Sequence, residues 1–350
     1  MEKRIKQCVG IDCGLKELVV CYSVMDEGFN VHVLSTTAFK NSLPGFKKLQ
    51  AWSKKLNKGT VQVSYVIEAT GVYHEAVSAF LHSHNSRIAV VLPNRANAFL
   101  RTMPVKTVTD KVSAKVLAQM GLEKKLDAWS PPKEEYKILR QLTRERDQLL
   151  AERTQVKNQL HAEKSGAWPN PQSVKRAQQR INYMIKQIKE IEKEIKEYLE
   201  KEPAIQQKLD KILTIPGVGL MTAVTVIAET DGFNLIRSKK QLVSYAGLDV
   251  IVKESGISIK SKGRISKKGN KFLRKCLHFP ALSAIRSSDA MKALFKRLVS
   301  KHGIKMKAVV AVQRNLLVLI YTLWKKDEIF NKDYSIKKEE FASANSHELV

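Results

Sequence analysis

No uninterrupted run of about 18 apolar residues occurs in this 350-residue sequence, so no segment reads as a membrane span. The last apolar stretch, KAVVAVQRNLLVLIYTLWKK, is broken by Gln313, Arg314 and Asn315 and is expected as a core helix. The opening residues, MEKRIKQCVGID, lack the apolar core of a secretion signal, and the expected location is the cytoplasm. Cysteine is scarce: Cys8, Cys13, Cys21 and Cys276 form no CxxC pair, and the first three fall on an expected strand pair, where reduced core thiols fit better than metal ligands. Base-reading motifs such as zinc fingers are missing. Acids are in deficit, with 34 Asp plus Glu against 61 Lys plus Arg, a formal charge of +27 that favours a polyanionic partner, nucleic acid first.

What is present divides into blocks. At 43% hydrophobic and 27% charged, the chain can bury a real core and build two or three domains. Charge is uneven: +8 over residues 1–128, +4 over 129–202, +17 over 203–325 and −2 beyond. The third segment is the electrostatic anchor, of the kind that gives salt-sensitive affinity without sequence preference.

Residues 7–24 predict a two-stranded hairpin, VHVLSTTAF a third strand, 43–56 a helix, VQVSYVIEAT a strand ending at Glu68, YHEAVSAFLHSH a helix and RIAVVLP a further buried strand. Strands alternating with helices imply an α/β sheet covered by helices, over 1–130. In 131–202, apolar steps of three and four, Leu139 to Leu160 and Ile181 to Tyr198, predict two long helices interrupted by GAWPNP. An antiparallel hairpin, a coiled-coil dimer and a spacer packed on its own domain all fit. The third block, 203–325, opens with LTIPGVGLMTAVTVIAE, where Gly217 and Gly219 sit as in a helix-hairpin-helix turn that aims amides at phosphate, though a plain tight turn uses the same residues. His74, His161 and His278 stand in helical contexts as packing or surface residues, and 326–350 is a polar tail.

Asp12 in VGIDCG and Glu68 in VIEATG each end a strand and precede a small residue and glycine; Asp110 in VTDKVSAKVLAQ begins a helix. Three acids at element ends suit a hard divalent ion, Mg²⁺, able to activate a nucleophile and steady a leaving oxygen. Alternatively, Asp110 is a helix N-cap and Glu68 a surface acid.

VGIDCGLKELVV, VIEATGVYHE and VTDKVSAKVLA resemble the three acidic motifs of the RuvC-like (RNase H-like) domain in DEDD transposases of the bacterial insertion-sequence one-ten family. LTIPGVG, LVSYAGLD, ESG and GRISKKGNKFLRKCL resemble that family's mainly α-helical C-terminal transposase domain, in the same order, so the likeness covers roughly residues 7–325. One position departs. The third motif normally reads Asp-x-x-Asp, and here Asp110 is followed three residues later by Ser113, a weaker metal ligand.

The stretch Ile251–Lys275 holds four serines among nine Lys and Arg. A serine hydroxyl needs a base, a metal or cations to attack phosphorus, and Lys253, Lys260, Lys262 and Arg264 could hold the phosphate. Composition does not choose among Ser255, Ser258, Ser261 and Ser266; by resemblance, Ser255 matches the family's nucleophile, which forms a covalent phosphoserine, while Ser266 reads as a capping or phosphate-contacting hydroxyl. Lys267, Lys271, Arg274 and Lys275 recur at helical spacing and predict a basic helix face, with Lys268 beside them as a further nucleic-acid contact. The resemblance further implies donor and target DNA, a structured noncoding guide RNA and a homo-oligomer, dimer or tetramer, with a site composed across subunits. A site-specific DNA invertase of the same superfamily and a catalytically weakened nucleic-acid binder stay open as alternatives.

Overall fold

The computed structural model describes residues 3–59, 61–234, 236–252, 254–255, 259–260 and 263–331, with backbone alone for 254–255 and 259–260. Two compact units divide the chain, Met1–Pro131 and Pro132–Val350.

The first unit is built on a five-stranded sheet. β1 (Arg4–Cys13), β2 (Glu17–Asp26) and β3 (Val31–Lys40) form an antiparallel meander, followed by α1 (Leu43–Leu56), β4 (Val63–Glu68), α2 (Glu75–Ser83), β5 (Arg87–Val91), α3 (Pro93–Leu100) and α4 (Asp110–Glu123). Strand order is β3-β2-β1-β4-β5, with β4 and β5 parallel to β1. That order, with those directions, is the RNase H-like sheet of RuvC-like domains. Alternation along β1 sends Val9, Ile11 and Cys13 to a core shared with Phe46 and Leu49 of α1 and Val77 and Leu81 of α2. Cys8 goes the other way, to a core with Val66, Phe99 of α3, and Val116, Leu117 and Met120 of α4. Both faces are thus covered, which is why β1 reads as a nearly continuous apolar run. Cys8, Cys13 and Cys21 are buried free thiols, and burial pushes Cys8 and Cys13 up to about 12, so they stay protonated and inert.

The second unit is helical: α5 (Glu134–Ser165), α6 (Pro171–Glu200), α7 (Pro203–Leu213), α8 (Leu220–Glu229) and α9 (Lys239–Tyr245) precede four two-residue strands, β6 (Val250–Ile251), β7 (Glu254–Ser255), β8 (Ile259–Lys260) and β9 (Arg264–Ile265). Then come α10 (Lys271–Cys276), α11 (His278–Ser287), α12 (Asp289–His302) and α13 (Lys305–Lys326). GAWPNP does break the long helices: Asn170 caps α6 by accepting from the Gln172 and Ser173 amides, and Glu163 accepts from the Asn170 amide. The apolar stripe of α6 packs within the chain. Ala177 and Ile181 meet Val156 and Leu160 of α5, and Ile191, Ile195 and Leu199 join the main core. α5 and α6 thus form an antiparallel hairpin that also packs on its own unit, so these two expectations are met together. Tyr136, Leu139 and Leu142 of α5 share that main core with α7, α8 and α13, so one core runs across the block boundary expected at 202. α13 is long and apolar enough to cross a membrane, yet Val312, Leu316, Leu317 and Ile320 are fully buried in this core, as expected of it.

Candidate active site

Parallel pairing puts Ile11 beside Ile67, so the next residues, Asp12 and Glu68, end neighbouring strands at one edge of the sheet, on strands about 4.8 Å apart. Asp12 shares the face of Cys8 and Gly10, and Glu68 that of Val66, the face covered by α4. α4 reaches this edge because β1 offers it no side chain at Gly10: a β-carbon there would overlap the Ala114 carbonyl oxygen and the Ala118 amide. Gly121, one helix face further on, meets the Cys8 thiol and Val66 in the same way. The seat delivers the start of α4, with Asp110 and Ser113, to Asp12.

Asp110 is not the helix cap. Thr109 is, its hydroxyl accepting from the Val112 amide at 3.4 Å, which leaves the Asp110 carboxylate free for other work. Asp12 is half-buried, and its carboxyl is pushed up to about 6, first by burial and then by the charges of Asp110 and Glu68. The Cys13 amide and the Ser113 hydroxyl donate to it and partly offset the rise. Ser113 thus sits where the fourth acid would, as a hydrogen-bond donor to the first. Among the described residues, no three His, Cys, Asp or Glu side chains close into a metal cage. Asp12 feels the charge of the other two, without the three converging on a point. Such an open, all-oxygen set fits a hard divalent ion that completes its shell with water or phosphate.

The serine segment is held differently. β6 pairs with β9 (Val250 with Ile265) and β7 with β8 (Ser255 opposite Ile259), both antiparallel, so the chain runs out from Asp249 and back to Ser266. Its base is zipped. The Ser266 amide donates to the Asp249 carbonyl and its hydroxyl to the Asp249 carboxylate at 2.6 Å; the Lys267 amide donates to Gly247 and the Asn270 amide to Tyr245. Gly247, at φ +66°, and Gly269 let the two legs touch, since a β-carbon on Gly269 would overlap the Tyr245 carbonyl. Beneath the zip lies Glu229, its side chain 1% exposed at the end of α8. Arg144 of α5 grips it with two bonds, Nε to Oε1 at 2.6 Å and the second guanidinium nitrogen to Oε2 at 2.8 Å, and Asn270 Nδ2 donates to Oε2 at 2.6 Å. Asn270 also caps α10, accepting from the Phe272 and Leu273 amides. Glu229 therefore ties α5, α8 and the foot of the serine segment together.

Several expected contacts are placed otherwise. α10 starts only at Lys271, so Lys267, at φ +53°, and Lys268 precede it, and the basic face is shorter than the spacing implied. Arg274 turns inward, donating to the carbonyls of Ala246, Gly269 and Asn270, and Lys275 pairs with Asp147. The Ser266 hydroxyl donates to Asp249 and accepts from the Lys268 amide at 3.3 Å, so it caps the turn before α10, whose own N-cap is Asn270. Arg264, Lys267, Lys268 and Lys271 are exposed. Gly217, at φ +87°, is pressed against Pro280 and Ala284 of α11, while Gly219 caps α8 in open space. Lys253 and Lys262, with Gly256, Ser258 and Ser261, lie outside the described residues, as do the side chains of Ser255 and Lys260. His278 packs through a 3.1 Å bond with Gln313.

An RNase H-like sheet with strand-end carboxylates, joined in one chain to a basic helical unit, fits an enzyme acting on nucleic acid, and sequence similarity narrows the class to enzymes of DNA recombination. The DEDD transposase model of insertion sequence IS110 matches residues 9–168, and the transposase IS116/IS110/IS902 family model matches 209–296, together well over half of the chain. The chain belongs to the IS110 family of transposases. It is 27% identical to the pilin gene-inverting protein of Moraxella bovis, over 93% of this chain and 98% of that one. It is also 26% identical to the transposase of insertion sequence element IS1328 from Yersinia enterocolitica, over 57% of this chain and 65% of that one. Among solved structures, Thermus thermophilus RuvC overlaps 35% of this chain and 99% of its own, with a TM-score of 0.28 at 11% identity. The fowlpox virus Holliday junction resolvase overlaps 33% of this chain and 95% of its own, with a TM-score of 0.24 at 11% identity. The fold assignment rests on strand order and direction.

Proposed function

We propose that this protein exchanges DNA strands by transesterification through Ser255. The Ser255 hydroxyl attacks a backbone phosphorus; a serine–phosphate ester forms, one strand ester breaks, and the departing oxygen leaves as a hydroxyl carrying the proton. A strand hydroxyl then attacks the phosphoserine, restoring the serine and joining the new strand. Ester bonds are conserved, so no nucleotide cofactor is consumed. Asp12, Glu68 and Asp110 would hold Mg²⁺, which when bound supplies charge to activate the nucleophile and steady the leaving oxygen. Ser113 donates to Asp12 and orients it. Exposed Arg264, Lys267, Lys268 and Lys271 neutralise backbone phosphates, joined in this role by Lys253, Lys260 and Lys262 of the same basic stretch. Sequence choice is assigned to a structured noncoding RNA that pairs with donor and target DNA, and the working form to a homo-oligomer, dimer or tetramer. The gathering of Asp12, Glu68 and Asp110 at one edge, with Asp12 feeling both other charges, carries the reading.

The test is incubation with Mg²⁺, cognate DNA and the RNA encoded beside the gene. A covalent protein–DNA adduct that disappears in Ser255→Ala is expected; an adduct that persists in that variant overturns the mechanism. A second reading, site-specific inversion by the same chemistry, is favoured by the near full-length match to the pilin gene-inverting proteins. Recombination of a substrate with two inverted sites, compared with one carrying a separate target, separates the two.

A further inference from the structure

The first unit has a cavity that the proposed chemistry does not use. About 600 Å³ in volume, it opens where β1, β4 and β5 begin and α4 ends, about 20 Å along β1 from Asp12 at roughly 3.3 Å per residue. Its apolar walls include Ile5 and Leu126, both partly exposed, with Val66 and Ile88 almost fully buried in the core. Four cations line it, Lys6, Arg87, Lys124 and Lys125, against one acid, Glu123, which already accepts from Gln119 at 2.6 Å. Lys6 is spent on the Leu122 carbonyl, capping α4 at 2.7 Å. Arg87, Lys124 and Lys125 are exposed and have no carboxylate partner among the described residues, although Lys124 Nζ lies over the Phe99 ring at 5.7 Å.

The polar groups of the floor are engaged too. Gln7 accepts from Tyr22 and donates to Asn57 and Val61, and Ser64 donates to the Gln7 carbonyl. Of the lining amides and hydroxyls, exposed Gln62 is the one left to hydrogen-bond a ligand. What remains is a cavity of mixed polar and apolar lining under a cationic mouth, with a volume that suits one nucleotide.

We infer that this cavity takes an unpaired nucleotide of a single strand, its base against the partly exposed Ile5 and Leu126 and its phosphates on Arg87, Lys124 and Lys125. Contact by charge and apolar surface makes it indifferent to sequence and sensitive to salt. It anchors a strand at the end of the sheet away from the carboxylates. The inference rests on the nucleic-acid reading above and needs no serine chemistry.

The experiment uses the full chain and short single-stranded RNA and DNA of one sequence carrying 4-thio-substituted pyrimidines. Photocrosslinks are expected in residues 61–66, 87–89 and 121–128, and the stronger of the RNA and DNA arms identifies the strand. Replacing Arg87, Lys124 and Lys125 with Gln together should remove these crosslinks and lower the slope of log affinity against log salt by about 2, at about 0.7 per phosphate. Ala128→Trp, at an exposed wall position, should block the slot with all charges kept and also remove them. Crosslinks confined to 203–325, an unchanged slope, or equal displacement by polyglutamate would overturn the inference. Adduct formation through Ser255, assayed on the same variants, reports separately on the strand-exchange mechanism.

Discussion

The acid edge and the serine segment are held in place by different physics. Around Asp12, position comes from backbone contact: Gly10 admits α4 onto β1, and register does the rest. Around Ser255, position comes from polar side chains, with Asp249 and Ser266 closing the base and buried Glu229 anchoring it to Arg144 and Asn270. A packed seat tolerates no added atom, whereas a polar anchor tolerates no missing partner. The two should therefore fail under opposite kinds of substitution.

Gly10→Ala breaks the first side and carries the largest expected effect. Its β-carbon meets helix backbone, which cannot rotate away, so the first unit should lose about 3 kcal/mol, seen as a drop of roughly 10 °C in its unfolding transition. Unchanged melting would mean that α4 does not sit on β1 as described. Glu229→Ala breaks the second side. It strands a guanidinium and an amide that were gripping a buried carboxylate, and about 2–3 kcal/mol should be lost from the second unit; the figure stays below that of a fully buried pair because Arg144 is 45% exposed. Combined with Arg144→Ala, the losses should be clearly less than additive in thermal unfolding.

The difference also explains what could be read in advance. The strands and α1 follow from apolar alternation and 3.6-residue spacing, and Asp12 and Glu68 stand out as strand-end acids before small residues. Glu229 is not legible in the sequence because its partners lie 85 and 41 residues away, and a helix-end acid is ordinarily solvated. Its one signal is being the single acid of an otherwise apolar helix. Helical spacing from Lys267 puts Arg274 on a basic face, but the helix begins after the Asn270 cap and the guanidinium donates inward to Ala246. Periodicity shows which face is apolar; it does not show where a cation's head is spent.

Ser113→Asp sharpens the comparison at the acid edge. A fourth carboxylate one turn after Asp110 adds a ligand and a charge beside Asp12, so half-saturating Mg²⁺ for adduct formation should fall about tenfold. An unchanged or weaker Mg²⁺ dependence would show that the Ser113 hydroxyl, as donor to Asp12, already does what this chain requires.

The smallest effect is expected from Asp12→Asn in metal-free buffer, and it concerns stability. The Asp12 carboxyl is pushed up to about 6 by burial and by its two acidic neighbours, against roughly 3.9 in an unfolded chain. The folded state therefore holds this proton more tightly than the unfolded one, and stability falls as pH rises from about 4 through about 6. Asn does not ionise, so the variant escapes that loss. Below about pH 4 the two proteins should melt together, and above about pH 7 the variant should be the more stable by about 1 kcal/mol, a figure reduced for a half-exposed group screened by solvent. Saturating Mg²⁺ should reverse the order, since only the native protein can use the ion to relieve its crowded acids. A native protein that gains no stability from Mg²⁺ at pH 7 would show that the three carboxylates are neighbours without being a binding site.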